Sequence, residues 1–106
     1  RRFRGYLITG ESMLPAYADG DYVIVDLAAY RRRPPRLGEA VLARDPREPG
    51  RTLVKRVDRL DPDGRLWLLG DNPERSTDSR TFGPIPPDLV IGRVRWCYWR
   101  SGAAPN

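Results

Sequence analysis

Nineteen residues of the chain are Lys or Arg, and eighteen of them are Arg. The exception is Lys55. A guanidinium stays charged at any working pH, whereas an ammonium in apolar surroundings can lose its proton and act as a general base. A position that keeps Lys in so Arg-rich a chain therefore points to deprotonation. No His is present, which removes Ser-His-Asp and Cys-His catalysis, because no imidazole can take a nucleophile's proton. Cys97 is the sole cysteine, so an internal disulfide is excluded, and a zinc site would need carboxylates and one thiol. No metal or other cofactor is expected.

A nucleophile is available at Ser12, in Thr9-Gly10-Glu11-Ser12-Met13-Leu14-Pro15. Gly10 lets backbone approach a substrate closely, Ser12 offers a hydroxyl at a strand end, and Pro15 fixes the direction of the chain beyond it. Alone, such a serine reads equally as a turn residue bonding to backbone. A third block, residues 70–84, is dense in side chains that bond to backbone or to one another, and three of the four serines fall in this block and the Ser12 segment. Asp78 and Arg80 can pair to hold the loop. Ser76 or Ser79 can point a hydroxyl toward an amine.

Short apolar runs at 6–8, 22–25, 40–43, 53–57, 66–69 and 90–98 have the length and alternation of strands. Turn signals separate them at 19–21, 34–35, 46–50, 61–64 and 84–87. No dozen residues keep a helical period, although 27–33 and 87–90 suit a single turn. These features predict a mostly β single domain of short twisted antiparallel sheets over residues 1–106, with its core at about 6–98 and tails at 1–5 and 100–106. The period of two along 52–58 puts Leu53, Lys55 and Val57 on one face and Val54, Arg56 and Asp58 on the other. Lys55 is then either core-facing with a lowered pKa or snorkelling to solvent.

The net charge is +5, with basic clusters at Arg1, Arg2 and Arg4 and at Arg31, Arg32, Arg33 and Arg36. The clusters lack the interleaved aromatics of a single-strand-binding groove, so they read as solvated surface and no nucleic-acid partner is expected. No window reaches the roughly 18 apolar residues of a membrane span, and no charged-then-apolar leader is present. A soluble, cytoplasmic, monomeric domain is the expectation. The chain opens at Arg1 without Met, so the alternative is an anchor upstream, with the catalytic domain outside the membrane.

Taken in order, Gly10-Glu11-Ser12-Met13-Leu14-Pro15, Asp19-Gly20-Asp21 with Val23 and Val25, Val54-Lys55-Arg56-Val57, Gly70-Asp71-Asn72 through Ser76, Asp78-Ser79-Arg80 and Phe82-Gly83-Pro84 resemble the successive signature boxes of the signal peptidase I superfamily. The resemblance spans residues 6–96 and implies the β fold that this superfamily shares with LexA-like proteins. It implies a serine endopeptidase acting on a precursor polypeptide bound in extended form, with Ser12 as nucleophile and Lys55 as base. Ser76 would orient the amine, Asp78 and Arg80 would brace the loop, and Gly10, Met13 and Tyr22 would bound the substrate site. The Ser12 N–H is the implied first oxyanion donor. Many members carry a Ser two residues before the nucleophile as the second donor; here that position is Gly10, which leaves Thr9 or another N–H for the task. The small size and the Thr-Gly-X-Ser-Met pattern resemble compact members such as the nickel-type superoxide dismutase maturation proteases and the mitochondrial inner-membrane peptidases. A LexA-like self-cleaving regulator shares the chemistry but not the 70–80 block. A noncatalytic nucleic-acid-binding β module accounts for the charge but not for the three boxes.

Overall fold

A computed structural model of the chain describes residues 1–102. Six strands form where apolar runs are bounded by turn residues: β1 (Phe3–Leu7), β2 (Tyr22–Asp26), β3 (Ala40–Asp45), β4 (Glu48–Leu60), β5 (Leu66–Leu69) and β6 (Val90–Trp99). The fold is mostly β and antiparallel, but the strands join into one open sheet rather than several short ones, in the order β1-β2-β6-β3-β4-β5. The last strand in sequence thus lies at the centre, hydrogen-bonded between β2 and β3.

Neighbouring residues of β3 feed opposite faces. Ala40 and Leu42 join Ile8, Met13, Val23, Val25, Val54 and Val94 in one apolar cluster. Val41 and Ala43 join Val57, Leu66, Leu68 and Ile85 in another. Both faces of the central strands are therefore covered, which explains the unbroken apolar run of β3. Full burial of each Val, Leu or Ile contributes about 1.5–3 kcal/mol relative to exposure. The residues between β1 and β2 roof the first face through Ile8 and Met13. The stretch from β5 to β6 covers the second through Ile85, which bridges to Leu66.

Several boundaries differ from the sequence expectation. β1 begins at Phe3, so residues 3–5 are strand rather than tail, and Arg2 is tied to Asp26 of β2 at 3.0 Å. β4 begins at Glu48, because Asp45 pairs with Glu48 and only Pro46 and Arg47 are left to turn. Pro49 is tolerated there because β5 pairs with β4 only from Arg56 onward, leaving this end of β4 without a second neighbour. The single turn at Pro87–Leu89 is present as a 3-10 turn, whereas 27–30 is a plain turn. A helical turn that the periodicity does not reveal, α1 (Ser79–Phe82), is capped by the Asp78 side chain accepting from the Arg80 N–H. In the expected C-terminal tail, the Ser101 N–H bonds to Asp21 at 2.6 Å, and residues 103–106 lie outside the described ones.

Candidate active site

Ser12 sits in the segment between β1 and β2. Asp19 accepts from the Gly10 N–H at 2.7 Å, and Gly10 has φ 81°, where a side chain would strain the backbone. A second clamp comes from beyond β5: the Asn72 N–H donates to the Ser12 carbonyl at 2.8 Å, and Asn72 Nδ2 donates to the Glu11 carbonyl at 3.1 Å. Between them lies Gly70. A Cβ there would collide with Ser76 Oγ and stand 2.7 Å from the Ser12 carbonyl oxygen, so only glycine allows the two segments this close. Gly70 and Asn72 appear in the sequence as members of a motif block, but their task of holding the Ser12 segment is visible only once the strands are paired.

Lys55 lies on β4 opposite Val41 of β3. Its residue exposure is 5%, which settles the choice between core and snorkelling in favour of the core. Burial pushes its pKa below the ordinary lysine value. The Asp78 carboxylate pulls in the opposite direction, and Arg51, Arg80 and Arg47 add to the lowering. The amine is therefore biased toward its neutral form.

Asp78 organises the loop on that face. It is 1% exposed and accepts from the Arg80 Nε and Nη2 at 3.0 and 2.6 Å, the Arg80 N–H at 3.1 Å, the Gly70 N–H at 2.9 Å and the Ser76 hydroxyl at 2.5 Å. Burial alone would raise its pKa, but the hydrogen bonds from Arg80, Ser76 and Gly70 outweigh it and hold the carboxyl well below the usual range. Ser79 Oγ accepts from the Leu68 N–H at 2.9 Å, so Ser79 serves the fold. Ser76 gives its proton to Asp78 rather than bonding the lysine as the sequence suggests, which leaves its oxygen lone pairs as acceptors.

One cavity of about 210 Å³ brings these segments together, with Thr9, Gly10, Ser12 and Met13 on one wall and Leu53, Val54 and Lys55 on another. No hydrogen bond joins the Ser12 hydroxyl to the Lys55 amine among the described residues; unliganded sites commonly hold such pairs long. The Ser12 N–H likewise has no protein acceptor among the described residues and remains able to donate. The Gly10 N–H is already committed to Asp19. Met13 is a core residue at 1% exposure that touches the cavity. Tyr22 is not brought to it: its ring lies over Gly5 and edge-on to Tyr98 at 6.0 Å, on the outer surface.

The profile of the "Signal peptidase, peptidase S26" family matches residues 2–62 and 58–99. A mitochondrial ATP-independent inner membrane protease subunit 1a of Arabidopsis thaliana is 35% identical, over 87% of this chain and 68% of that protein. The mitochondrial inner membrane protease subunit 1 of Mus musculus is 31% identical, over 88% of this chain and 68% of that protein. The corresponding subunit 2 of Danio rerio is 30% identical, over 87% of this chain and 62% of that protein. The chain thus spans about two thirds of the length of these relatives. It belongs to the signal peptidase S26 family and is a serine-type peptidase.

Proposed function

We propose that this chain is an endopeptidase that removes a leader or signal-type peptide from a precursor protein through an acyl-enzyme on Ser12, with neutral Lys55 as the base. The observation that carries this reading is the shared cavity: Ser12 and the chain's only lysine, on separate elements, face one opening, and the lysine is buried. Lys55 takes the hydroxyl proton as Ser12 attacks the scissile carbonyl, then returns it to the leaving amine, and water hydrolyses the ester. The Ser12 N–H is the first oxyanion donor, with Thr9, also on the cavity wall, supplying the second. Asp78 holds the Ser76 hydroxyl and leaves its oxygen lone pairs available to the lysine amine, and Arg80 keeps Asp78 ionised.

The substrate lies extended along the cavity past Gly10 and Met13. The relatives' names refer to subunits of inner membrane proteases, which favours a catalytic domain working beside a membrane over a cytoplasmic one. Among the described residues no helix is long and apolar enough to cross a membrane. Maturation of a nickel-type superoxide dismutase precursor remains one such processing task.

The test is cleavage of leader-type peptides by wild type, Ser12→Ala and Lys55→Ala, with circular dichroism to establish folding. Both variants are expected to fold and to lose at least about a thousandfold in kcat/KM. Retained cleavage by Ser12→Ala would overturn the assignment.

A further inference from the structure

The same cavity has a strongly biased charge. Arg47, Arg51 and Arg75 line it, against Glu11 as the one acid. Two of the three guanidiniums are already engaged to different degrees. Arg47 makes a two-pronged pair with Asp45, at 3.1 and 2.9 Å, and lies over the Phe82 ring at 5.1 Å. Arg75 approaches Glu11 only at 3.7 Å, with both side chains more than half exposed, a weak and easily exchanged contact. Arg51 has no ion-pair partner among the described residues, although it lines the cavity. It lies on β4 four residues before Lys55, where the β3–β4 register shifts between Arg44 and Asp45. Four residues of strand set their backbones about 13 Å apart.

Resting on the endopeptidase reading above, we propose that Arg51, assisted by Arg75, is a specificity-determining residue that selects an acidic side chain in the bound peptide about two to four residues from the scissile bond. An extended peptide advances about 3.3 Å per residue, so the distance along β4, shortened by the reach of Arg and Glu side chains, sets that interval. A guanidinium without a carboxylate partner at the wall of a peptide site offers a charge-assisted hydrogen bond that a neutral side chain cannot match. A basic residue in the same place meets two positive charges.

The experiment uses internally quenched leader-type peptides with Glu, Gln or Lys placed in turn at each of the four positions on either side of the cut. Wild type is expected to cleave the Glu peptide about five- to twentyfold better than the Gln peptide at one or more positions two to four residues from the cut, with the advantage shrinking as salt is raised from about 0.05 M to about 0.5 M. In Arg51→Gln the Glu/Gln ratio falls toward one, and in Arg51→Glu the order of the Glu and Lys peptides reverses. Fluorescence anisotropy of the same peptides on Ser12→Ala measures recognition without turnover. Equal kcat/KM for Glu and Gln peptides at every position, or a preference undiminished in Arg51→Gln, overturns the inference while leaving the peptidase reading intact. Tighter binding of Glu peptides to Ser12→Ala, lost on adding Arg51→Gln, together with no Ser12-dependent cleavage by wild type, overturns the peptidase reading and upholds the recognition.

Discussion

At the scale of single residues, the proposed chemistry asks for a lysine that can shed its proton and a serine held still. Burial of Lys55 lowers its pKa, with the nearby arginines pushing the same way. Because the amine accepts a proton only when neutral, kcat/KM should rise with pH through a pKa below the ordinary lysine value and then level off. Arg51→Gln removes one of the charges that lower that pKa, so its rising limb should move to higher pH; a profile flat from about pH 6 to 10 with chemistry rate-limiting would remove Lys55 from the role. Gly70→Ala forces a Cβ against Ser76 Oγ and the Ser12 carbonyl. We expect it to lower kcat at least tenfold and to destabilise by about 1–3 kcal/mol, read by progress curves and urea titration. The candidacy of Lys55 is legible in the sequence from its uniqueness and strand parity. The close approach at Gly70 is not, because nothing local tells which segment its missing side chain makes room for.

At the scale of elements, the β5–α1 connection is a hub built on one carboxylate. Asp78 joins Gly70 at the end of β5, Ser76 and Arg80. Removing it strands a buried N–H and leaves Arg80 without its partner. Asp78→Ala is therefore expected to lose about 2–4 kcal/mol in urea unfolding and to lower kcat more than it raises KM. Ser76→Ala, which leaves Asp78 its other donors, should keep most of the stability and lower kcat about 10- to 1000-fold. Wild-type kcat in Ser76→Ala would make that hydroxyl purely structural. The strand runs themselves are legible, since each apolar stretch became a strand. Their ends are less so: Glu48-Pro49-Gly50 has turn composition, yet pairing of Asp45 with Glu48 absorbs it into β4. That the Ser76 hydroxyl donates to Asp78 is not legible locally, because the block offers several acceptors and only the folded loop selects this buried carboxylate.

At the scale of the whole molecule, arginines and carboxylates tie the sheet to its loops. Glu39 sits among Tyr30, Arg33, Arg93 and the Arg36 N–H. Burial would raise its pKa, but these partners bring it down to about 2. Asp26, Asp45 and Asp78 are lowered as well, by arginines at positions 2, 47 and 80. A carboxyl with a depressed folded-state pKa stabilises above its unfolded value and loses that contribution as pH falls through the folded one. The carboxylate contribution to the urea midpoint should therefore be nearly constant above about pH 5 and fall steeply between about pH 4.5 and 2, less steeply in Glu39→Gln. A midpoint independent of pH across that interval would contradict this account. The order of the strands is not legible at all, because insertion of β6 between β2 and β3 depends on long-range pairing. The most direct test of the central claim is the rate at which an activated ester acylates the protein, followed by mass spectrometry as a function of pH in wild type and in Lys55→Arg. A single adduct on Ser12 is expected, forming faster as Lys55 deprotonates, with no measurable adduct in Lys55→Arg. An adduct on another residue, or undiminished Ser12 acylation in Lys55→Arg, would contradict that claim.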